Sequence, residues 1–370
     1  MPAASSPPPF RAEHIGSLLR PAALLESRAR HAAGRASDQE LADAENAAIR
    51  NAVAMQQRVG LKLATDGEFR RESYHGYFYG RLGDISLVGQ REGEGEPGVR
   101  GAQPQAVIRS RIKWTSPIHA ADFAVVRSLT SATPKITIPG PCALHFRGGD
   151  KAVLAHAYKD VGEFWDDTVA AFTRELADLA AAGCTYVQID ETAFAKFGDL
   201  EVQAALAARG DDWSTLIDQY IAVTNRILAV APKGMAIGMH LCRGNRGGRF
   251  HAEGSYESVS ERLFNTLDIN FFFLEYDSPR AGDFSPLRFV PAHKHIVLGL
   301  VSTKTGAMET MGDLERRIAE AATYVELPRL ALSPQCGFAS IDTGNPLSQE
   351  DQEAKLRLVV QTAEKVWGSA

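Results

Sequence analysis

Apolar and polar positions along this chain follow two rhythms that keep alternating. Short strand-like runs, several of them continuously apolar, stand at 11–17, 61–65, 136–139, 186–190, 236–240, 271–276, 295–301 and 330–333. Between most of them lie longer stretches with apolar residues every three or four positions, at 161–182, 213–230, 256–266, 314–324 and 349–367, which read as helices. A further helix is marked at both ends: Ser37-Asp38-Gln39-Glu40 is a capping box, and Gly60 stops the helix near Val59. Strands that are apolar throughout, each followed by a helix, suit a parallel sheet covered on its outer face. About eight of them in 370 residues predict an α/β fold, a closed (β/α)8 TIM barrel, as one domain over residues 1–370. An open doubly wound sheet is the alternative, but no glycine-rich phosphate loop stands at any strand-to-helix turn.

One stretch breaks the alternation. Residues 85–130 hold a Gly/Glu-rich turn at 92–98 and strand-like runs at 106–114 and 123–129, which predict a β-hairpin excursion over the barrel. Residues 1–9, rich in Pro, Ser and Ala, read as a disordered tail without the marks of a secretory signal. No run approaches the roughly 18 apolar residues of a membrane helix. A net charge of −5 argues against nucleic acid or an anionic membrane as the main partner. Cys142, Cys184, Cys242 and Cys336 are too sparse for a disulfide framework, so a reducing cytoplasm is expected, with thiols available to a metal.

The chemistry gathers at strand ends. His240 and Cys242, two apart and so facing one way, end one strand; Glu275 ends the next, and Cys336 follows a third. Barrel active sites are built at that same end from several strands. Imidazole, two thiolates and a carboxylate suit one Zn²⁺ ion. A free thiol is only a few per cent thiolate at neutral pH, and coordination to zinc deprotonates it. Two thiolates and a carboxylate limit how far the metal withdraws charge from an incoming sulfur, so this set suits activation of a substrate thiol. Glu275, the hard oxygen donor, is expected to be the exchangeable ligand. Cys142 and Cys184 read as small buried hydrophobes.

These residues and their surroundings resemble the cobalamin-independent methionine synthase family, specifically its single-barrel members similar to the catalytic half of the full-length enzyme. The resemblance rests on RAEHIGSLLRP (11–21), ATDGEFRR (64–71), VQIDE (187–191), HLCRGN (240–245), FLEYDSPRAGDF (273–284), GLVSTKTG (299–306) and SPQCGFAS (333–340). It implies a (β/α)8 barrel that transfers a methyl group to homocysteine sulfur with zinc held by His240, Cys242, Glu275 and Cys336. By motif position, Ser17 with the backbone of Ile15 and Gly16, together with Glu68 and Asp190, would hold the amino-acid end of homocysteine. The chain departs from the family in lacking the second, N-terminal barrel. Lys196 stands where the family has an acid that helps bind the pterin, and Lys304 falls at or near the proton-shuttle histidine. The methyl donor is therefore left open among methylfolate, a methyl-corrinoid protein and another small methyl compound.

Lys304 would serve as a proton donor only if burial lowered its pKa; otherwise it is a salt-bridged lysine. His14 is a second candidate for positioning a donor or proton. His75 and His145 lie near expected strand ends or the aromatic stretch 74–79, and Tyr74, Tyr77, Phe78 and Trp114 are candidates for a donor-pocket wall or for barrel-top packing. Arg243, Arg246 and Arg249 lie in a Gly-rich loop beside the metal, suited to an anionic group or to plain solvation. Two other functions fit the same ligands: opening of an epoxide by a thiol, as in the similar epoxyalkane:coenzyme M transferases, and a non-catalytic zinc-binding thiol sensor.

Overall fold

The computed structural model describes residues 9–88, 100 and 105–370. Residues 1–8 of the tail expected at 1–9, and the Gly/Glu-rich turn at 92–98, lie outside them. Ten strands are present among the described residues: β1 Leu63–Ala64, β2 Ile85–Val88, β3 Gln105–Ile108, β4 Thr133–Pro134, β5 Ile136–Pro139, β6 Tyr186–Asp190, β7 Ala236–Leu241, β8 Phe271–Glu275, β9 His295–Val301 and β10 Leu330–Pro334. The fold is α/β. Six strands form a parallel sheet in the order β10-β9-β8-β7-β6-β5, and β4, one residue before β5, pairs in parallel with β1. At the other edge Ala12 bridges Leu332 in parallel, with Glu13 N donating to Leu332 O and Leu332 N to Arg11 O, both at 2.9 Å. Leu18 N donates to Gly67 O at 3.0 Å, joining the first segment to the one that follows β1.

The strand side chains divide between two clusters, as period-two alternation requires. Val187, Phe272, Leu298 and Leu332 face the helices in the main core. Tyr186, Phe271, Phe273, Val297 and Ala331 face inward with Phe10, Ile15 and Leu63. The inward space also holds a buried ion pair, Lys135 Nζ to Glu13 Oε2 at 3.2 Å. Lys135 donates in addition to Gln188 Oε1 at 3.0 Å and to His14 O, and Tyr186 OH donates to Glu13 Oε1 at 2.8 Å.

Helices occupy most of the expected stretches: Asp38–Arg58, Val161–Ala181, Trp213–Leu228, Glu257–Thr266, Met311–Ala321 and Gln349–Trp367. The capping box at Ser37 and Glu40 is formed, with Ser37 N to Glu40 Oε2 at 2.7 Å and Glu40 N to Ser37 Oγ at 3.2 Å.

Two strand expectations need correction. Residues 11–17 make only the single bridge at Ala12, because their backbone is diverted to line the cleft described below. The run at 123–129 is helical, within Ala120–Leu129, and buries Phe123 and Val126 at a spacing of three, a helical period. In the excursion, β3 pairs antiparallel with β2 rather than with 123–129, in register Ile85↔Ile108 to Val88↔Gln105. No helix among the described residues is long and apolar enough to cross a membrane.

Candidate metal centre and substrate cleft

The parallel strands deliver their C-terminal ends to one rim, and a cleft of about 160 Å³ opens there. Its lining brings together seven of the expected residues: Ile15, Ser17, Glu68, Asp190, His240, Cys242 and Cys336. His240 stands in β7 with Cys242 one residue past its end, and Cys336 lies two residues past β10. Imidazole nitrogen and both sulfurs lie within 4.8 Å of one another, all buried. The two Sγ atoms are 3.5 Å apart, and Gly244 N donates to Cys242 Sγ at 3.2 Å. His240 Nδ1 is 3.1 Å from Asp190 Oδ1, and Nε2 is 3.2 Å from Gln335 O.

The electrostatics favour charge on Cys242 and His240 and a neutral thiol at Cys336. The hydrogen bond with Cys336 pulls the Cys242 thiol down to about 5 against the cost of burial, while Cys336 is pushed well up. Burial works against the His240 imidazolium, but the Asp190 hydrogen bond and Cys242 outweigh it and raise its pKa to about 10. A mixed nitrogen–sulfur set this compact, with a carboxylate orienting the histidine through its other ring nitrogen, fits zinc.

Glu275 is not part of that cluster. Its carboxylate, fully buried at the end of β8, accepts from Arg243 N at 2.6 Å, from Lys304 Nζ at 3.0 Å and from Arg280 Nη2. Burial would raise its pKa, yet Lys304, Arg280 and Arg243 together hold it well below the usual carboxylate range. Lys304 also donates to Asp277 Oδ2 at 3.1 Å and lines a second cleft beside Phe250, Asp277 and Arg280. Burial lowers its pKa, but Asp277 and Glu275 more than reverse that and raise it. A proton-donor role would need the opposite shift, so the geometry favours the salt-bridged reading of Lys304. His14 is buried outside the cleft, with its pKa pushed well down by burial and by Lys135.

The part of the cleft around Glu68 is built differently. Glu68 is the one non-glycine residue with a positive φ, 60°, among the described residues. Such strain in an L-residue clusters at functional sites, where surrounding structure enforces it. Arg20 Nη2 donates to Glu68 O at 2.9 Å, and Thr137 Oγ1 donates to Glu68 Oε1 at 2.8 Å. Oε2 is buried without a hydrogen-bond partner. Burial raises the Glu68 pKa, partly offset by Arg71, whose Nη1 lies 3.8 Å away. Gln188 holds the two sides of the cleft in register, donating to Ile15 O at 2.6 Å and to Asp190 Oδ1 at 2.7 Å. Gly337 is required where the chain passes Ser17: a Cβ there would lie 1.9 Å from Ser17 Oγ.

Several other candidate residues do different work. His145 bonds Tyr220 OH and Asp150 Oδ1, both at 2.8 Å, and Trp114 Nε1 donates to Glu175 at 3.1 Å. Arg243 stacks 4.1 Å above Tyr256 and donates to Gly254 O and Glu275 O. Tyr74, His75, Lys196 and Arg246 do line the cleft. Arg147, Thr192, Asn245 and His251 line it too and were not anticipated. Arg147 and Thr192 lie shortly after the C-terminal ends of β5 and β6, the position from which barrel sites draw residues, and that placement was the available signal.

The model of the cobalamin-independent synthase catalytic domain matches residues 10–365. An uncharacterized protein of Bacillus subtilis, YxjH, is 38% identical over 361 residues, 97% of this chain and 95% of that one. A methionine synthase of Saccharolobus solfataricus is 26% identical over 331 residues, 88% of this chain and 86% of its own. A structure from Listeria monocytogenes, assigned as a vitamin-B12-independent methionine synthase, is 32% identical with a TM-score of 0.74, covering 98% of this chain and 99% of that one. A B12-independent methionine synthase from Shewanella shares the fold at 20% identity, with a TM-score of 0.73 over 96% and 97% of the two chains.

Proposed function

The chain belongs to the cobalamin-independent synthase catalytic-domain family, and from that premise we propose that it is a zinc-dependent methyltransferase converting homocysteine to methionine. The observation that carries this reading is the convergence of His240, Cys242 and Cys336 on one face of the cleft that Ser17, Glu68 and Asp190 also line. We read the architecture as a closed (β/α)8 barrel over the whole chain, supported by the Ala12 bridge and the Leu18–Gly67 bond.

His240, Cys242 and Cys336 would hold the metal. When bound, zinc makes the substrate thiol a thiolate at neutral pH. The rest is work for the chain's own groups. Glu68 Oε2 and Asp190 receive the substrate ammonium, two carboxylates for one cation. Ser17 and the Ile15–Gly16 backbone receive its carboxylate. Held at both ends, the amino acid has its sulfur aimed along the cleft, and this orientation supplies much of the rate. Asp190 fixes the His240 ring through Nδ1, leaving Nε2 for the metal. Glu275 is assigned as the exchangeable oxygen ligand, with Lys304 positioning it rather than donating a proton. The sulfur attacks the methyl carbon, a C–S bond forms, and the donor's leaving atom takes the electron pair.

The test is direct. Purified protein given homocysteine and a panel of methyl donors should form methionine, scored by mass spectrometry, and should carry one zinc per chain. Cys242→Ser and Cys336→Ser should each lose most of both. Stoichiometric zinc in the double variant would remove these residues from the metal site.

A further inference from the structure

Opposite the carboxylates of Glu68 and Asp190, the cleft turns cationic. Arg147, Lys196 and Arg246 line it together with His75 and His251. The two histidines are held well below their ordinary pKa, first by burial and then by the same three cations, so all five groups feel one another. Arg147 is only 5% exposed and His251 8%. Nevertheless Arg147 Nε and Nη1 and both ring nitrogens of His251 have no hydrogen-bond partner. The buried acid Glu191, on which Arg147 and Lys196 act, uses its oxygens on Cys142 N at 3.1 Å and Ala193 N at 3.0 Å. Among the described residues no carboxylate forms an ion pair with Arg147 or Arg246. Buried donors left unsatisfied are costly, and a guanidinium most of all, so such a group in a cleft wall is poised for an anion.

We propose that the wall formed by Arg147, Arg246 and His251, with Lys196 beside it, is an oxyanion subsite that receives an anionic group carried by the methyl donor. The donor is then a compact methyl compound bearing a carboxylate, sulfonate or phosphate. This deepens the methyl-transfer reading and rests on it. Charge divides the work within the cleft: the acidic wall takes the ammonium of the amino acid, and the basic wall takes the co-substrate. The methyl-bearing end of that co-substrate then faces the sulfur held between them.

Calorimetric titration of the zinc-loaded protein with methylphosphonate, methanesulfonate and acetate, against neutral dimethyl methylphosphonate, tests this. At least one oxyanion should bind saturably and the neutral ester should not; the strongest of the three identifies the group. Arg147→Gln and Arg246→Gln should each weaken that binding about tenfold or more, the loss expected for a charge-assisted hydrogen bond. Arg147→Lys should recover part of it. Homocysteine affinity should stay within about twofold in these variants, as for independent sites. Equal binding of ester and anion overturns the proposal, as does wild-type anion affinity in both glutamine variants. A homocysteine loss as large as the anion loss also overturns it, since the wall would then belong to the amino acid. If Arg147→Gln fails to melt cooperatively, Arg246→Gln, on a half-buried residue of the same wall, decides. Wild-type protein that binds the oxyanion but neither zinc nor homocysteine would sink the methyl-transfer reading while supporting the anionic wall.

Discussion

At the scale of single residues, the cleft depends on Glu68, whose backbone is strained and whose Oε2 has no partner within the protein. Glu68→Gln keeps the shape and the Thr137 contact but removes the charge. It should raise the homocysteine KM roughly 10- to 100-fold, the value of a charge-assisted hydrogen bond, and leave zinc content unchanged by metal analysis. An unaltered KM would remove Glu68 from the amino-acid pocket. The convergence of His240, Cys242 and Cys336 was legible in the sequence because donor type and strand-end position are both local properties. The surroundings of Glu275 were not. Its partners Arg243, Arg280 and Lys304 follow three different strands, and only the folded arrangement shows that the carboxylate accepts from all of them. The same holds for Arg147, which stands on the helix Ala143–Leu154 that the sequence pattern did not mark.

At the scale of elements, helices were more legible than strands. Gln349–Trp367 begins where its cap predicts: Ser348 Oγ accepts from Asp351 N at 3.1 Å, and Ser348 N donates to Asp351 Oδ2 at 2.9 Å. Ser348→Ala should cost about 1 kcal/mol, measured by urea unfolding with the slope unchanged. A loss under about 0.3 kcal/mol would show that packing alone fixes this helix start. The excursion was harder to read. Phe123-Ala124-Val125-Val126 is a short apolar run, which fits a strand and a buried helix turn equally well by pattern. Packing against Asp38–Arg58 and Val161–Ala181 selects the helix.

At the scale of the whole molecule, the inner face of the parallel sheet carries a polar cluster beside its apolar one. Lys135 and Glu13 are fully buried and hold each other, and through Gln188 they support both Ile15 and Asp190. Lys135→Met strands a buried carboxylate and should cost roughly 3–5 kcal/mol in urea unfolding. Adding Glu13→Leu should recover much of that, and a double variant as unstable as the single one would show that the pair does more than neutralise itself. One further property follows from Asp190. Its Oδ1 faces His240, which the proposed function assigns to the metal, and the same carboxylate is assigned to the substrate ammonium. Metal and amino acid are therefore thermodynamically linked: an ammonium that draws on Asp190 makes His240 a weaker base, and the effect must be reciprocal. Norleucine, which has the ammonium and carboxylate but no sulfur, should weaken zinc affinity several-fold in a chelator competition, and zinc should weaken norleucine by the same factor. Asp190→Asn should abolish the linkage. On the zinc reading, an amino acid without its sulfur would loosen the ion from this site, whereas with the sulfur that loss would be offset by a new ligand, so occupancy by zinc would itself discriminate thiol from non-thiol amino acids.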